Sequence, residues 1–376
     1  MSSIADFMPE SGTGGLDWAG IVEAFPWIRN LDGCPQSPVH HAEGDVLTHT
    51  RMVVEELLGL PAWQVLPQDD RFIVFAAALL HDIAKPATTQ IDAQGRISQP
   101  GHSRKGSVMA RGLLWRMKVP FPVRERICAL IASHQVPFFL IDQDPMKARR
   151  RAIAMSLAGR NDLLAILTEA DARGRICEDK QRILDNVALF RAFCEEEGVL
   201  DQPFAFPDSH TRVRFFESDT VVPDFAQYDD TCMTVLMVSG LPGSGKSSFL
   251  KKSFPDFPVV GLDEIRAELK VEHGDAEGEV IQLAKERAKQ FLRARRPFAW
   301  NGTNINRQRR GQWYELFRAY GARIVTAYLE TSEQQLREDN SGRDARVPDE
   351  AIDRMVERWE VPDLTETTHG LNIHLR

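Results

Sequence analysis

Gly240-Leu-Pro-Gly243-Ser244-Gly245-Lys246-Ser247 fits the pattern G-x-x-x-x-G-K-[ST] at every fixed position. The apolar run TVLMVS precedes it and SSFLKKSF follows, which is the strand-loop-helix context the pattern requires. Glycines let successive backbone N–H groups turn onto phosphate oxygens, and a helix N-terminus adds positive partial charge. Lys246 would then reach the β- and γ-phosphates of ATP, and the Ser247 hydroxyl would ligate Mg2+, with Ser244 and Ser248 completing the nucleotide-binding stretch. Two more segments suit such a site. Asp263-Glu-Ile-Arg266 ends a second apolar run, where a carboxylate lies at the sheet crevice and can take a proton from an attacking hydroxyl. Arg266, one turn later, shares that face and can hold a substrate phosphate. Asn340-Ser-Gly-Arg343-Asp-Ala-Arg346-Val-Pro348 is a basic segment able to close as a lid over nucleotide phosphates, ahead of a helix that begins at Pro348. The plainer alternatives are an acidic N-cap with a surface arginine at 263–266 and a solvated basic loop at 340–348.

A second grouping lies in the other half of the chain. Six of the ten histidines fall between positions 40 and 134. His81-Asp82 closes the apolar run FAAALL, and two adjacent polar residues buried there must be paired or bound to a metal. His49 sits on an earlier helical stretch, His102 and His134 on or near later ones, and Asp171 within TEADARGR. Imidazole and carboxylate groups from several helices can hold one or two divalent cations and leave positions open for water and phosphate. With two cations, Asp82 is the residue placed to bridge them. Imidazole-rich ligation suits Mn, Co, Ni, Fe or Zn, and ligand type alone does not choose among them.

The elements that must position these residues divide the chain. Residues 1–15 are small and polar and read as a mobile tail. From 16 to 200 apolar residues recur three and four apart, as in DVLTHTRMVVEELLGL (45–60), DRFIVFAAALLHDIAK (70–85), SRKGSVMARGLLWRMK (103–118) and CEDKQRILDNVALFRAFCEEEG (177–198), so an all-α domain is expected. Residues 201–230 carry three prolines and seven acids against two bases, and read as a linker. From 231 to 376, short apolar runs at 234–240, 257–263, 297–303 and 322–330 alternate with amphipathic helices, the pattern of an α/β domain with a parallel sheet. A length of 376 residues accommodates these two domains and little more. No apolar run approaches the roughly 20 residues of a membrane span, and no secretory leader is visible. The five cysteines are scattered without CxxC pairs and are expected to be reduced, buried thiols of a cytoplasmic protein. The net charge of −8 argues against a polyanion partner only weakly, because most of it resides in 201–230 while 231–376 is neutral with clustered arginines.

GLPGSGKSS, LDEIR, GTNIN and NSGRDARVP, in that order, resemble the 5′-hydroxyl polynucleotide kinase domain of phage and bacterial RNA end-healing enzymes over about 231–365. The resemblance implies that Lys246 and Ser247 act on ATP and Mg2+, Asp263 is the general base, Arg266 binds the acceptor strand and Arg343 is the lid arginine on the transferred group. Thr303 and Asn304 are implied as substrate contacts, although Gly302 stands where the family often has Asp. HHAEGDVLTHT, LLHDIAK, PGH and EADARGR resemble the HD phosphohydrolase superfamily over about 35–195, in particular the HD domain of bacterial CCA-adding tRNA nucleotidyltransferases. That likeness implies metal ligands His49, His81, Asp82 and Asp171, with His102 and His134 completing a second site. Lys85, Arg173 and Arg175 are implied as phosphate contacts, with a surface role equally open for the two arginines, and His41 falls in a similar motif without an assigned role. No nucleotidyltransferase motif precedes the HD-like stretch, so CCA addition is not implied. The fused order is similar to that of bacterial HD-Pnk end-healing proteins.

These resemblances together imply a bifunctional enzyme acting on RNA or DNA ends, hydrolysing 2′,3′-cyclic phosphate and 2′- or 3′-phosphate ends and phosphorylating 5′-OH ends, in cooperation with a separate ligase. A second reading keeps both folds but makes them a small-molecule kinase and an HD nucleotide phosphohydrolase. A third is an ATP-sensing switch without catalysis.

Overall fold

A computed structural model describes residues 3–10, 15–271, 276–342 and 346–376. The chain forms two units, Met1–Phe204 and Ala205–Arg376.

The first unit is helical: α1 (Val46–Gly59), α2 (Gln68–Leu80), α3 (His102–Arg116), α4 (Phe121–Ser133), α5 (Pro145–Ala158), α6 (Asn161–Arg173) and α7 (Lys180–Glu196), with a two-stranded hairpin pairing Gln90–Ile91 with Ile97–Ser98. Asp45 caps α1 by accepting from Thr48 N, which fixes where that helix starts. Its buried face runs Val46, His49, Thr50, Val53, Val54 and Leu57, so the spacing that buries leucine and valine also aims His49 inward. Every residue of α2 from Ile73 to Leu80 is fully buried, and α1, α4 and α6 pack around it. At about 1.5–3 kcal/mol per large apolar side chain, this helix anchors the unit. The helix Lys180–Glu196 ends before Gly198, whose φ of +67° suits the left-handed position that stops a helix. The close approach of α6 to α1 depends on Gly174, where a Cβ would stand 2.9 Å from Val53 N.

Residues 1–15 do not form the expected loose tail throughout. Ile4–Phe7 is a 3-10 turn closed by a Ser3–Asp6 capping box, Ile4 is buried, and Phe7 packs edge-on against Phe25. A single buried isoleucine is too short a signal to show as periodicity.

The second unit contains α8 (Ser209–Glu217), β1 (Met233–Ser239), α9 (Lys246–Ser253), β2 (Val259–Gly261), α10 (Leu262–Leu269), α11 (Glu277–Arg293), β3 (Phe298–Asn301), α12 (Arg307–Arg318), β4 (Ala322–Glu330), α13 (Glu333–Ser341), α14 (Asp349–Val356) and β5 (Gly370–Leu375). The sheet order is β2-β3-β1-β4-β5 and every pairing is parallel. β1 is central and buried on both faces. Val235 and Met237 join one core with Phe298, Trp300 and Phe317, while Leu236 and Val238 join the other with Leu250, Ala327 and Leu329. The chain leaves β1 toward β2 and β3 and later crosses to β4, so the carboxyl end of β1 is a topological switch point. The helix expected to begin at Pro348 has that residue as its N-cap and starts at Asp349.

The segment 201–230 is not a free linker: from Ala205 onward it belongs to the second unit. Asp208 caps α8, Arg212 donates to Leu364 O (2.5 Å) and Thr368 O (2.8 Å), and His210 stacks on His369 at 5.4 Å. Two of its acids pair with bases of the following domain, Glu217 with Arg318 and Asp229 with Arg323. These two pairs, with the Asp208 cap, tie the segment to the second unit, which a solvated spacer would not be. Cys34, Cys128 and Cys194 are buried as expected, but Cys177 is only partly so and Cys232 is exposed. No helix among the described residues is long and apolar enough to cross a membrane.

Candidate active sites

In the helical unit the two helix ends Leu80 and Ser133, the start of α3 and the inner faces of α1 and α6 converge. His81 and His134 are the C-caps of α2 and α4, and His102 opens α3. Each of these rings donates from Nδ1 to a backbone carbonyl three residues back: His81 to Ala78 O (2.7 Å), His102 to Gln99 O (2.7 Å) and His134 to Ile131 O (2.8 Å). A carbonyl only accepts, so each ring carries a proton on Nδ1 and Nε2 is the atom left to act as a ligand. His49 has its Nδ1 2.8 Å from Glu43 Oε1, which leaves its Nε2 3.2 Å from Asp171 Oδ1 and 3.7 Å from Asp82 Oδ2. Four imidazole Nε2 atoms therefore face two carboxylates.

These six residues fall into two clusters of possible ligand atoms, His49–His81–Asp171 and Asp82–His102–His134, each with its atoms within 4.8 Å of one another and all buried. Asp82 touches both, at 3.1 Å from His81 Nε2 and 3.4 Å from His102 Nε2. The donor set fits divalent cations on one structural test. Among the described residues His81 Nε2, His49 Nε2 and Asp82 Oδ1 are buried without a hydrogen bond, and such groups need a compensating partner. Burial pushes His134 down to about 3 and also lowers His102, so both are neutral ligands, whereas at His81 the effect of burial is outweighed by the adjoining Asp82, which raises it. Burial opposes ionisation of Asp82 and Asp171, yet His81 and Lys85 hold the first well below the usual carboxylate range, as Arg175 and His49 hold the second.

The implied phosphate contacts separate. Lys85 is buried at the site, 2.7 Å from Asp82 Oδ2 and 2.5 Å from Gln36 Oε1. Arg175 forks Asp171 through two bonds of 2.9 Å and lies 4.4 Å over the Phe138 ring, so it orients that carboxylate rather than facing open space. Arg173 pairs with Glu169 on the exposed side of α6 and is not brought to the cluster. His41 lies outside the six, its Nδ1 2.7 Å from Glu43 Oε1. Sequence reasoning missed Glu43. Its side chain is fully buried, its Oε1 serves His41 and His49, and its Oε2 accepts from Ile176 N at 2.8 Å. Only the chain's return 133 residues later gives it that role.

In the second unit the loop 240–245 connects β1 to α9 at the switch point. Gly240, Gly243 and Gly245 have φ of +154°, +82° and +90°. A Cβ at Gly240 or Gly243 would overlap the carbonyl oxygen of Leu329 or Leu336, so both conformation and space require glycine. Lys246 Nζ lies across the loop and donates to Gly240 O (3.0 Å) and Leu241 O (2.9 Å). A cavity of about 380 Å3 opens here, lined by Gly243, Gly245, Lys246, Ser247, Ser248, Asp263, Arg266, Gly302 and Thr303. Gly240 and Ser244 shape the loop without lining the cavity.

Asp263 does not end a strand, because β2 stops at Gly261 and Asp263 lies in the first turn of α10, where the helix dipole favours an acid. It still faces the cavity, with 60% of its side chain exposed and Oδ1 2.8 Å from Arg266 Nη1. Arg266 also forks Glu277 at 2.9 Å. Asn304 is not among the residues lining the cavity: its Nδ2 donates to Val238 O (2.7 Å) and its backbone carbonyl accepts from Ser239 Oγ and Arg310, stapling the loop after β3 to β1. Arg343 lies outside the described residues. The cavity is also lined by Asn301, Asp339 and Arg376, none marked by a sequence pattern. Asn301 Nδ2 is 3.4 Å from Ser247 Oγ, and its buried Oδ1 has no hydrogen-bond partner among the described residues, which fits an acceptor beside a Ser247-held cation.

Comparison with known proteins agrees with this division. The family model of the HD domain matches residues 45–172, and that of the AAA domain matches 235–362. The CC-adding tRNA nucleotidyltransferase of Thermus thermophilus is 31% identical over 163 residues, 43% of this chain and 34% of that protein. The A-adding tRNA nucleotidyltransferase of Deinococcus radiodurans is 31% identical over 196 residues, 51% of this chain and 42% of that protein. The chain thus spans well under half the length of these curated relatives. A solved structure of a provisionally assigned kinase from Chloroflexus aurantiacus covers 39% of this chain and 86% of its own at 15% identity, with a TM-score of 0.33. The chain thus joins a helical unit matched by the HD domain to a unit matched by the AAA domain, which carries the phosphate loop on a five-stranded parallel sheet.

Proposed function

We propose that this chain heals broken nucleic-acid ends, the HD domain hydrolysing 2′,3′-cyclic phosphate and 2′- or 3′-phosphate ends and the P-loop domain transferring the γ-phosphate of ATP to a 5′-OH end. The observation that carries this reading is the acceptor side of the P-loop cavity, where the Asp263–Arg266 pair shares one space with Lys246 and Ser247. A nucleotide sensor needs no carboxylate aimed at the phosphate loop, whereas a hydroxyl acceptor needs a base and a phosphate-bearing acceptor needs a cation.

In the kinase step Asp263 accepts the proton of the 5′-hydroxyl as its oxygen bonds to the γ-phosphorus and ADP leaves. Lys246 and the loop N–H groups stabilise charge on the transferred group, and Arg266 holds the acceptor's own phosphate. Ser247 and Asn301, whose side chains lie 3.4 Å apart, would hold Mg2+. In the HD domain His49, His81, Asp82, His102, His134 and Asp171 would hold one or two divalent cations, which when bound neutralise phosphate oxygens and lower the pKa of water. Asp171 is kept in place by Arg175 and Asp82 by Lys85. Water adds at the cyclic phosphorus and one ribose oxygen leaves with a proton, and a second addition releases inorganic phosphate. The two products, a 3′-OH and a 5′-phosphate, are what a separate ligase consumes.

The test is RNA bearing defined 5′-OH and 2′,3′-cyclic-phosphate ends, incubated with and without ATP, beside free nucleosides and sugars. Phosphate loss independent of ATP and label transfer to the oligonucleotide are expected. Transfer to nucleosides or sugars alone would make the P-loop domain a small-molecule kinase. Intact cyclic-phosphate hydrolysis by a His81→Ala variant would remove the HD assignment.

A further inference from the structure

The last strand brings a further cation to the phosphate loop. β5 pairs with β4, and beyond its end Arg376 N donates to Glu330 O at 2.9 Å. His374 packs its ring against Phe249 of α9 at 4.6 Å, which ties the strand to the helix that the phosphate loop opens. From this fixed base the Arg376 side chain turns back into the cavity that Lys246 and Ser247 line. Its Nη1 is 3.5 Å from Ser244 O, and a Cβ at Gly245 would overlap its guanidinium. The φ of +90° calls for glycine at 245, and the guanidinium tip occupies the space beside it.

We infer that Arg376 is a nucleotide-phosphate contact, a forked cation supplied to the P-loop from the far edge of the sheet. The cavity's other cations have different positions: Lys246 lies along the loop, and Arg266 is held on the acceptor side by Asp263 and Glu277. Arg376 has a carboxylate partner, Asp339 Oδ2 at 3.1 Å, and its side chain is 47% exposed. An exposed ion pair of that kind is worth little, so exchanging Asp339 for a polyphosphate is favourable. Guanidinium geometry matches two phosphate oxygens at once, which an ammonium does not. The inference rests on the cavity being a nucleoside triphosphate site and is independent of the acceptor.

The test is calorimetric titration of the full chain with Mg2+-ATP, Mg2+-ADP and Mg2+-GTP, comparing wild type, Arg376→Ala and Arg376→Lys. Arg376→Ala should weaken ATP, ADP and GTP alike by about three- to tenfold, with a shallower salt dependence, and Arg376→Lys should lose less. An unchanged melting temperature separates this from a folding defect. Equal affinity of Arg376→Ala and wild type would overturn the inference, as would a loss confined to one base. Wild type that binds ATP but phosphorylates no 5′-OH end would sink the acceptor reading and leave Arg376 as assigned.

Discussion

The six candidate ligands of the HD domain are between 0% and 5% exposed, whereas Asp263, the candidate base of the P-loop domain, leaves 60% of its side chain in solvent. In the first site charge is enclosed: Asp82 and Asp171 are ionised against the cost of burial because imidazoles, Lys85 and Arg175 surround them. In the second, binding groups are backbone N–H atoms and long side chains resting on neighbours, such as Lys246 on two carbonyls. A buried site fixes its geometry beforehand and needs a cation to satisfy its lone pairs. An open one is assembled by its ligand. The difference predicts that substitutions in the HD site register in stability as well as activity, and those in the P-loop site in activity alone.

The most severe test exchanges the two activities. Lys246→Ala should lower phosphoryl transfer by about a thousandfold or more with phosphoesterase activity intact, and His81→Ala should do the reverse. Assays of both activities on each variant check this, and loss of both from either variant would show that the sites are not separate. Next, Arg175→Ala leaves Asp171 as a buried charge without its fork. It should destabilise the HD domain by about 3–5 kcal/mol, measured as a lowered denaturant midpoint, with the P-loop transition unmoved. Glu43→Gln should weaken divalent-cation binding by about tenfold to a hundredfold, read by competition with a chelator, because His49 loses its carboxylate partner. The smallest effect belongs to Arg173→Ala. Its exposed pair with Glu169 should cost within about 0.5 kcal/mol and leave cyclic-phosphate hydrolysis unaltered, whereas a tenfold rise in KM would restore it as a phosphate contact.

Much of this comparison was legible in the residues. The period of α1 and α2, the HD pair at a buried helix end and the phosphate loop after β1 are local signals, and the structure forms each of them. What escaped is non-local. Glu43 sits in a loop without pattern and gains its role from Ile176. β5, GLNIHL, alternates weakly and becomes a strand only by pairing with β4. The acids of 201–230 resemble a spacer until Arg318 and Arg323 arrive from a hundred residues away. Asn304 matched a family motif, but its amide is committed to Val238 O, a bond that no motif records.

The Nδ1 bonds of His81 and His134 end on Ala78 O and Ile131 O, carbonyls that the last turns of α2 and α4 would otherwise leave unpaired. The same proton that selects the ligating tautomer therefore finishes the helix. Fraying of either terminus and release of a ligand become one event, so cation occupancy should be readable as slowed amide exchange at residues 79–84 and 132–137. Hydrogen exchange could then follow metal loading residue by residue, without any substrate present.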